Sequence, residues 1–416
     1  MVEVIQFKES KMHLLSSELD KNAESGVVKP LEINDITIKY FNSYINRLMD
    51  VDNLIVLAGS GTSLTFNVKD KPKIAPSMWD LWFSCKSNDE KTFEEIINIV
   101  HYSDIQKLKE ENGEPKADIE LLLSLCDTNI NAGIHSEKNH EILVRFMQCS
   151  IQIILEKASF TQAVPAEGWS SHERFINLLA RRGISQERLK LFTTNYDLAF
   201  ETAASSMGMI VIDGFDFSNP SRFNPMWYKY DVVYRDEKNN NGKNYLPNVM
   251  QLYKIHGSVD WKMINGQVQK STDEKEKPIF IYPSSNKYQS SYDSPYLEMM
   301  SALLSSLQQP KTGLLVVGFG FNDKHINNAI KMALRTNPEF MMMVATVAPF
   351  DPAGSFNAEI RNVLERSINN GDNRICIVDS YFGEFVSKVP QRRNMSKEEE
   401  LLNAFSLVAS SVNKGV

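Results

Sequence analysis

Four short runs in this chain set glycines, hydroxyls, an amide, an imidazole and carboxylates at the ends of apolar segments. Gly59-Ser60-Gly61-Thr62-Ser63 follows the apolar run NLIVLA. With no side chains at Gly59 and Gly61, backbone amides can approach a phosphate, and a helix opening there favours negative charge. The same pattern also suits plain tight packing of a turn. It is neither a P-loop, because no Gly-Lys-Ser/Thr follows, nor a full G-x-G-x-x-G. Thr193-Thr194-Asn195-Tyr196-Asp197 ends the run KLFTT and precedes DLAFETAA. Polar side chains at the carboxyl end of a parallel strand reach the crevice in which such sheets bind ligands. Asp197 can equally cap the following helix and Asn195 close a turn. Capping accounts well for Asp197 and leaves Asn195 without a role.

Lys254-Ile255-His256-Gly257-Ser258 comes straight after QLYKI, which delivers its histidine to the same edge of a sheet. A neutral imidazole there can accept a proton from a ribose hydroxyl or a water, the alternative being a structural histidine with its bonds satisfied. Gly318-Phe319-Gly320-Phe321-Asn322-Asp323 lies between LLVV and KHINNAIKMAL. Gly318 and Gly320 permit close approach of a ligand, and Asp323 either caps the helix or holds a ribose hydroxyl.

These turns converge only if the segments before them are neighbouring parallel strands. Apolar runs at NLIVLA, KLFTT, MIVID, QLYKI, IFIY, GLLVVG, FMMMVATV and RICIVD read as strands, several followed by helical stretches such as DKHINNAIKMAL and NAEIRNVLERSI. That alternation predicts an α/β fold, Rossmann-like, with a mostly parallel sheet. Ile38, Phe41, Tyr44, Ile45 and Leu48 repeat at helical spacing ahead of NLIVLA. Between the first glycines and KLFTT, the runs MWDLWF, KTFEEIINIV, ADIELLLSLC and HSEKNHEILVRFMQCSIQIILEKA repeat apolar residues at three and four, which predicts a large helical insertion subdomain. Asn265-Gly266 inside WKMINGQVQK predicts a two-residue hairpin turn. The expected organisation is an N-terminal arm over 1–33 outside the main core, a Rossmann-like domain over 34–69 and 186–390, the insertion over 70–185, and a tail over 391–416 ending in one amphipathic helix.

Composition narrows the function further. A chain of 416 residues, 42% hydrophobic and 23% charged, can bury a large core. A formal net charge of -7 offers no basic footprint, so direct nucleic acid binding is not expected. Cys85, Cys126, Cys149 and Cys376 lie far apart with no C-x-x-C pair, which points to reduced core thiols and no metal. The charged N-terminus lacks an export signal and no apolar run spans a bilayer, so a cytoplasmic location without membrane insertion is expected.

The order Gly-x-Gly-x-Ser, Thr-x-Asn-x-Asp, His-Gly and Gly-x-Gly-x-x-Asp resembles the Sir2 (sirtuin) superfamily, carried by residues 59–63, 193–197, 256–257 and 318–323. The runs IYPSSNKY (281–288) and GFGFNDKHIN (318–327) look like the bacterial Sir2-like group of antiphage defence. The resemblance implies that NAD+ is bound as substrate and its nicotinamide–ribose bond broken. It assigns Asn195 to the ribose and the attacking water, and His256 the part of base or ribose-orienting partner. Asp197 would hold the nicotinamide amide or the ribose, and Gly59, Ser60, Gly61, Thr62 and Ser63 would cradle the pyrophosphate. Thr193, Gly318, Gly320 and Asp323 complete the expected binding residues.

Two departures from the deacylating sirtuins matter: there is no four-cysteine zinc ribbon, and SLTFNVKDKP stands where a Gly-Ile-Pro-Asp-Phe-Arg-like loop would be. Both argue against protein deacylation. The helical insertion in place of the zinc module is similar to that of defence-associated Sir2-like NADases. The domain layout is similar to the Sir2 subunit of the Sir2 and HerA-type ATPase (Nezha) system, which implies a large homo-oligomer and a HerA-type partner. Competing classes are a catalytically silent NAD or ADP-ribose sensor and an NAD-dependent deacylase or ADP-ribosyltransferase.

Overall fold

The computed structural model describes residues 12–17, 29–35, 37–68, 71–103, 117–133, 136–183, 186–233, 245–271, 278–280, 294–352 and 354–391. The chain opens with β1 (His13–Leu15), β2 (Leu31–Glu32), α1 (Ile38–Asp50), β3 (Asn53–Ala58) and the single helical turn α2 (Ser60–Ser63). Helices α3 (Met78–Asn88), α4 (Glu90–Ile99), α5 (Ile119–Ala132), α6 (Glu137–Ala158) and α7 (Ser170–Leu179) follow. Next come β4 (Lys190–Thr193), α8 (Ala199–Ser206), β5 (Ile210–Ile212), β6 (Val249–Lys254), β7 (Gly257–Ile264), β8 (Gln267–Lys270) and β9 (Pro278–Phe280). The last part alternates α9 (Tyr296–Leu307), β10 (Thr312–Val317), α10 (Lys324–Thr336), β11 (Met341–Thr346), α11 (Ala358–Asn369), β12 (Ile375–Asp379) and α12 (Phe382–Lys388).

The fold is mixed α/β. Its central sheet has nine strands in the order β2-β1-β12-β11-β10-β3-β4-β6-β5. From β12 to β5 every pairing is parallel, and β1 and β2 add antiparallel at one edge. The central strands are apolar on both faces because both are covered, as parallel crossovers require. Along β3, Leu54, Val56 and Ala58 meet α1, α7, α8 and α12 on one side. Ile55 and Leu57 point to the other side, into the layer formed by α9, α10 and α11. The helices present matching stripes: Phe41, Tyr44, Ile45 and Leu48 on α1, and Ile326, Ala329, Ile330 and Ala333 on α10, are buried.

Helices α3 to α6 enclose a separate core built around Trp82, Phe93, Leu122, Leu123, Leu143 and Phe146. Helix α7, within the bounds 70–185 expected for the insertion, packs on the sheet through Phe175, Ile176 and Leu179. Its apolar spacing is the same in either location, so periodicity could not assign it. The expected arm also differs. Met12, Leu14 and Leu15 are buried, and β1 extends the sheet by pairing with β12, so this short stretch belongs to the core rather than outside it. The hairpin joining β7 and β8 turns at Asn265 and Gly266, both at positive φ (51° and 74°), the geometry of a type I′ turn. The expected C-terminal amphipathic helix and the run 281–288 lie outside the described residues.

Cys85, Cys126 and Cys376 are buried, and burial pushes the Cys85 thiol up to about 11. Cys149 is exposed on α6, a correction to the expectation of four core thiols. Among the described residues no group of His, Cys, Asp or Glu is arranged to hold a metal. No described helix is long and apolar enough to cross a membrane.

Candidate functional site

Four neighbouring strands end on one row. Val317 of β10 pairs with Ala58 of β3, Ala58 with Thr193 of β4, and Thr193 with Lys254 of β6. The turns singled out in the sequence therefore leave the sheet side by side, on strands about 4.8 Å apart. Chain connections run to opposite sides of β3 and β10, which makes this the point where strand order reverses and where open α/β sheets receive ligands.

The two glycine turns lie against one another. A Cβ on Gly59 would sit 2.6 Å from the Gly318 carbonyl oxygen, and one on Gly61 would sit 2.7 Å from Gly318 Cα. Gly318 is itself at φ +58°, with Thr62 N 2.6 Å from a built Cβ. These glycines are thus required for backbone contact. The Gly59 amide donates to the Val317 carbonyl, the Gly61 amide to Gly318, and the Thr62 amide to Gly59. Three of the five amides expected to cradle a pyrophosphate already have carbonyl partners, whereas Ser60, at the start of α2, is exposed. Gly320 has Asn322 Nδ2 and the Ser355 carbonyl within 3.3 Å of a built Cβ, and its own carbonyl accepts from Asn357 N.

Asn195 is 7% exposed. Its backbone amide donates to Thr193 Oγ1 at 3.1 Å, which gives Thr193 the task of shaping the turn. Its Nδ2 donates to the Gly59 carbonyl (3.1 Å), Thr62 Oγ1 (3.2 Å) and Ser63 Oγ (3.0 Å). Ser63 Oγ in turn donates to Asp197 Oδ2 at 2.7 Å, while Asp197 Oδ1 accepts the Ala199 amide that opens α8. Burial pushes the Asp197 carboxyl above its usual range, opposed by the nearby Lys254 and the Ser63 hydroxyl. The first two turns are therefore one connected unit, with Asp197 also accepting the first amide of α8.

His256 is 3% exposed and its Nε2 lies 3.2 Å from Asp323 Oδ2. Asp323 Oδ1 accepts the His325 and Ile326 amides and so caps α10. The same carboxylate thus holds both the helix and the imidazole. With Asp323 ionised and the ring neutral, Nε2 is the donor to the carboxylate and Nδ1 carries the lone pair. Nδ1 is buried and has no hydrogen-bond partner among the described residues, which is rare for a native polar atom. The contact joins the turn after β10 to the residue that follows β6, two strands further along the sheet beyond β3.

The structure brings Gly59, Gly61, Thr62, Ser63, Thr193, Asn195, Asp197 and Gly318 together by direct contact, and joins His256 to Asp323. The two groups meet around Tyr196, whose ring centroid is 6.5 Å from that of His256. Tyr196 was not singled out in the sequence. Its ring belongs to the core of the helical insertion, and its hydroxyl donates to Glu120 Oε1 on α5 at 2.8 Å. Lys254 was also passed over, although it is the last residue of β6 and 1% exposed. Its Nζ donates to the Tyr196 carbonyl (3.2 Å), the Asp197 carbonyl and Ser258 Oγ (2.8 Å), and pairs with Glu201 Oε1 at 3.0 Å. A charged residue ending a strand reads in sequence as an exposed one, so no pattern pointed to it.

Comparison with known proteins adds three findings. No curated protein matches the chain in sequence. Among solved structures, Sir2Tm bound to a propionylated peptide is similar at 10% identity and a TM-score of 0.34, over 79% of this chain and 97% of that one. A Sir2 protein with a p53 peptide and NAD+ is similar at 10% identity and a TM-score of 0.32, over 80% of this chain and 98% of that one. Neither likeness transfers a residue role. Residues 190–370, which begin with β4, end in α11 and carry three of the four turns at the rim, match the SIR2-like domain.

Proposed function

We propose that this rim binds NAD+ and hydrolyses its nicotinamide–ribose bond, releasing nicotinamide and ADP-ribose. The observation that carries the reading is His256 Nδ1: an enclosed, unpartnered lone pair on an imidazole fixed by Asp323, beside the turn that carries Asn195. The match of residues 190–370 to the SIR2-like domain and the motif order described above support the choice of substrate.

NAD+ supplies a positively charged pyridinium leaving group, so bond breaking needs no strong acid and builds positive charge on the ribose, as in glycoside hydrolysis. The residues of this chain must then orient the sugar and the water and accept a proton. His256 Nδ1 accepts that proton from a ribose hydroxyl or from the water, and Asp323 stabilises the imidazolium that results. Positioned proton transfer of this kind contributes about 10²- to 10⁴-fold. Asn195 is anchored through Nδ2 to the first turn, which leaves its Oδ1 to orient the water or a ribose hydroxyl. Because the Gly59 and Gly61 amides are engaged with β10 and its turn, the pyrophosphate is assigned chiefly to Ser60, with the glycines permitting its close approach.

The motif resemblance extends the reading to NAD+ depletion in antiphage defence, by a homo-oligomer acting with a HerA-type ATPase. The experiment that tests the activity compares NAD+ turnover with and without an acylated peptide. Hydrolysis predicts free ADP-ribose at the same rate in both; acyl-ADP-ribose formed only with peptide makes the protein a deacylase instead. Tight NAD+ binding with no nicotinamide released, alone or with the partner ATPase, makes it a sensor.

A further inference from the structure

We propose that Lys254 is a positioning residue for this reaction: its buried ammonium ties the turn carrying Asn195 to the segment carrying His256 and fixes their separation. The proposal rests on the reading of the rim as an NAD+-cleaving site. Three observations carry it. Lys254 is fully enclosed at the end of β6, between Tyr253 and Ile255, both buried in the sheet's apolar layer. A buried charge is costly unless paired and hydrogen-bonded, so an ammonium at this place needs a reason. Pairing with Glu201 on α8 satisfies the charge and would suffice for a structural ion pair.

The remaining bonds go elsewhere. Two of them reach the carbonyls of Tyr196 and Asp197, the residues directly after Asn195. Another reaches Ser258 Oγ, two residues after His256, and that hydroxyl continues to Asp260 Oδ1 at 2.5 Å. Lys254 is itself two residues before His256, so a single side chain grips the His256 segment from both ends and the Asn195 turn from below. Carbonyl oxygens attract a cation without a charge penalty of their own, and a lysine stem at the end of β6 reaches both turns. The Val259 amide donating to the Tyr196 carbonyl at 3.0 Å is the backbone counterpart of the same tie.

The test separates positioning from charge compensation. Lys254→Met leaves the half-buried Glu201 without its ammonium, so the melting temperature falls; Lys254→Met with Glu201→Gln removes both charges and recovers most of that loss. Nicotinamide release from NAD+ is then measured in full-length wild type, both variants and Ser258→Ala. In the double variant kcat stays about 10- to 100-fold below wild type while KM changes by less than about threefold, the pattern of a misplaced catalytic group. Amide hydrogen exchange across residues 195–199 is faster than in wild type at matched stability, and Ser258→Ala shows the same changes in milder form. Recovery of kcat together with melting temperature in the double variant overturns the proposal. If wild type itself releases no nicotinamide, the functional reading fails and exchange alone decides: rates equal to wild type at residues 195–199 overturn the tie. Should the double variant fail to fold, Ser258→Ala decides by the same two readouts.

Discussion

Asp323 shows how one side chain serves two demands. Its Oδ1 caps α10 and its Oδ2 holds His256, so the helix terminus and the imidazole are fixed by the same carboxyl. Asparagine is nearly as good a cap as aspartate but carries no charge. Asp323→Asn is therefore expected to lower kcat for nicotinamide release by about 10²-fold while its thermal transition stays close to wild type, because the imidazolium loses its counter-charge. Equal turnover in the variant would detach Asp323 from the chemistry. At this scale the sequence was partly legible. The residue types at 195, 256 and 323 could be picked out because amides, imidazoles and carboxylates at strand ends are chemically conspicuous. The His256–Asp323 pairing could not, since it depends on which turns the sheet order brings together.

At the scale of elements, the glycines of the first and fourth turns do a job that the sequence left undecided between phosphate approach and packing. The turns touch through backbone atoms, so a methyl group on either side separates them. Gly318→Ala is expected to cost on the order of 2 kcal/mol, from a positive φ and a contact with Thr62 N, and to lower activity with it. Chemical denaturation and nicotinamide release measured on one preparation check both effects.

The same region contains His172 on α7, fully buried with neither ring nitrogen paired among the described residues. It stacks on Phe66, just beyond α2, with centroids 4.5 Å apart, and contacts Phe200 and Phe382. Burial lowers its pKa to about 3, so folding favours the neutral ring. The unfolded chain binds this proton below about pH 6.5, which means stability is full at neutral pH and falls as pH drops from about 6.5 towards 3. Between pH 7 and 5 this single group should remove about 2 kcal/mol, and His172→Phe should flatten that part of the stability curve. An unchanged pH slope in the variant would place the acid sensitivity elsewhere. The bounds 70–185 expected for the insertion took in α7, and its pattern could not say which core it joined. Periodicity specifies a face, whereas the neighbour comes from topology.

For the whole molecule, alternating strands and helices with short turns were enough to infer the parallel sheet, because buried parallel strands are apolar on both faces. The short strands β1 and β2 at one edge were not visible. The three residues of β1 carry no period and lie in a polar stretch, yet Leu14 is 1% exposed in the main core. Leu14→Ala is expected to destabilise the protein by about 2–4 kcal/mol, the range for a core truncation, whereas a true outlying arm would tolerate it within a few tenths. Calorimetric or denaturant unfolding distinguishes the two. The insertion has its own core, but Tyr196 and Glu120 join it to the turn that carries Asn195, so the helical subdomain and the rim are mechanically connected.

The central claim is that four turns spread between residues 59 and 323 build one site around Asn195 and His256. Its most direct measurement is the amount of nicotinamide and ADP-ribose formed from NAD+ by purified wild type, Asn195→Ala, His256→Ala and the double variant, each shown to be folded by circular dichroism. The account predicts equimolar products from wild type, loss of at least about 10²-fold in each single variant, and little further loss in the double variant, as for groups that act as a unit. Undiminished turnover in either folded single variant, or losses that multiply in full in the double variant, would contradict it.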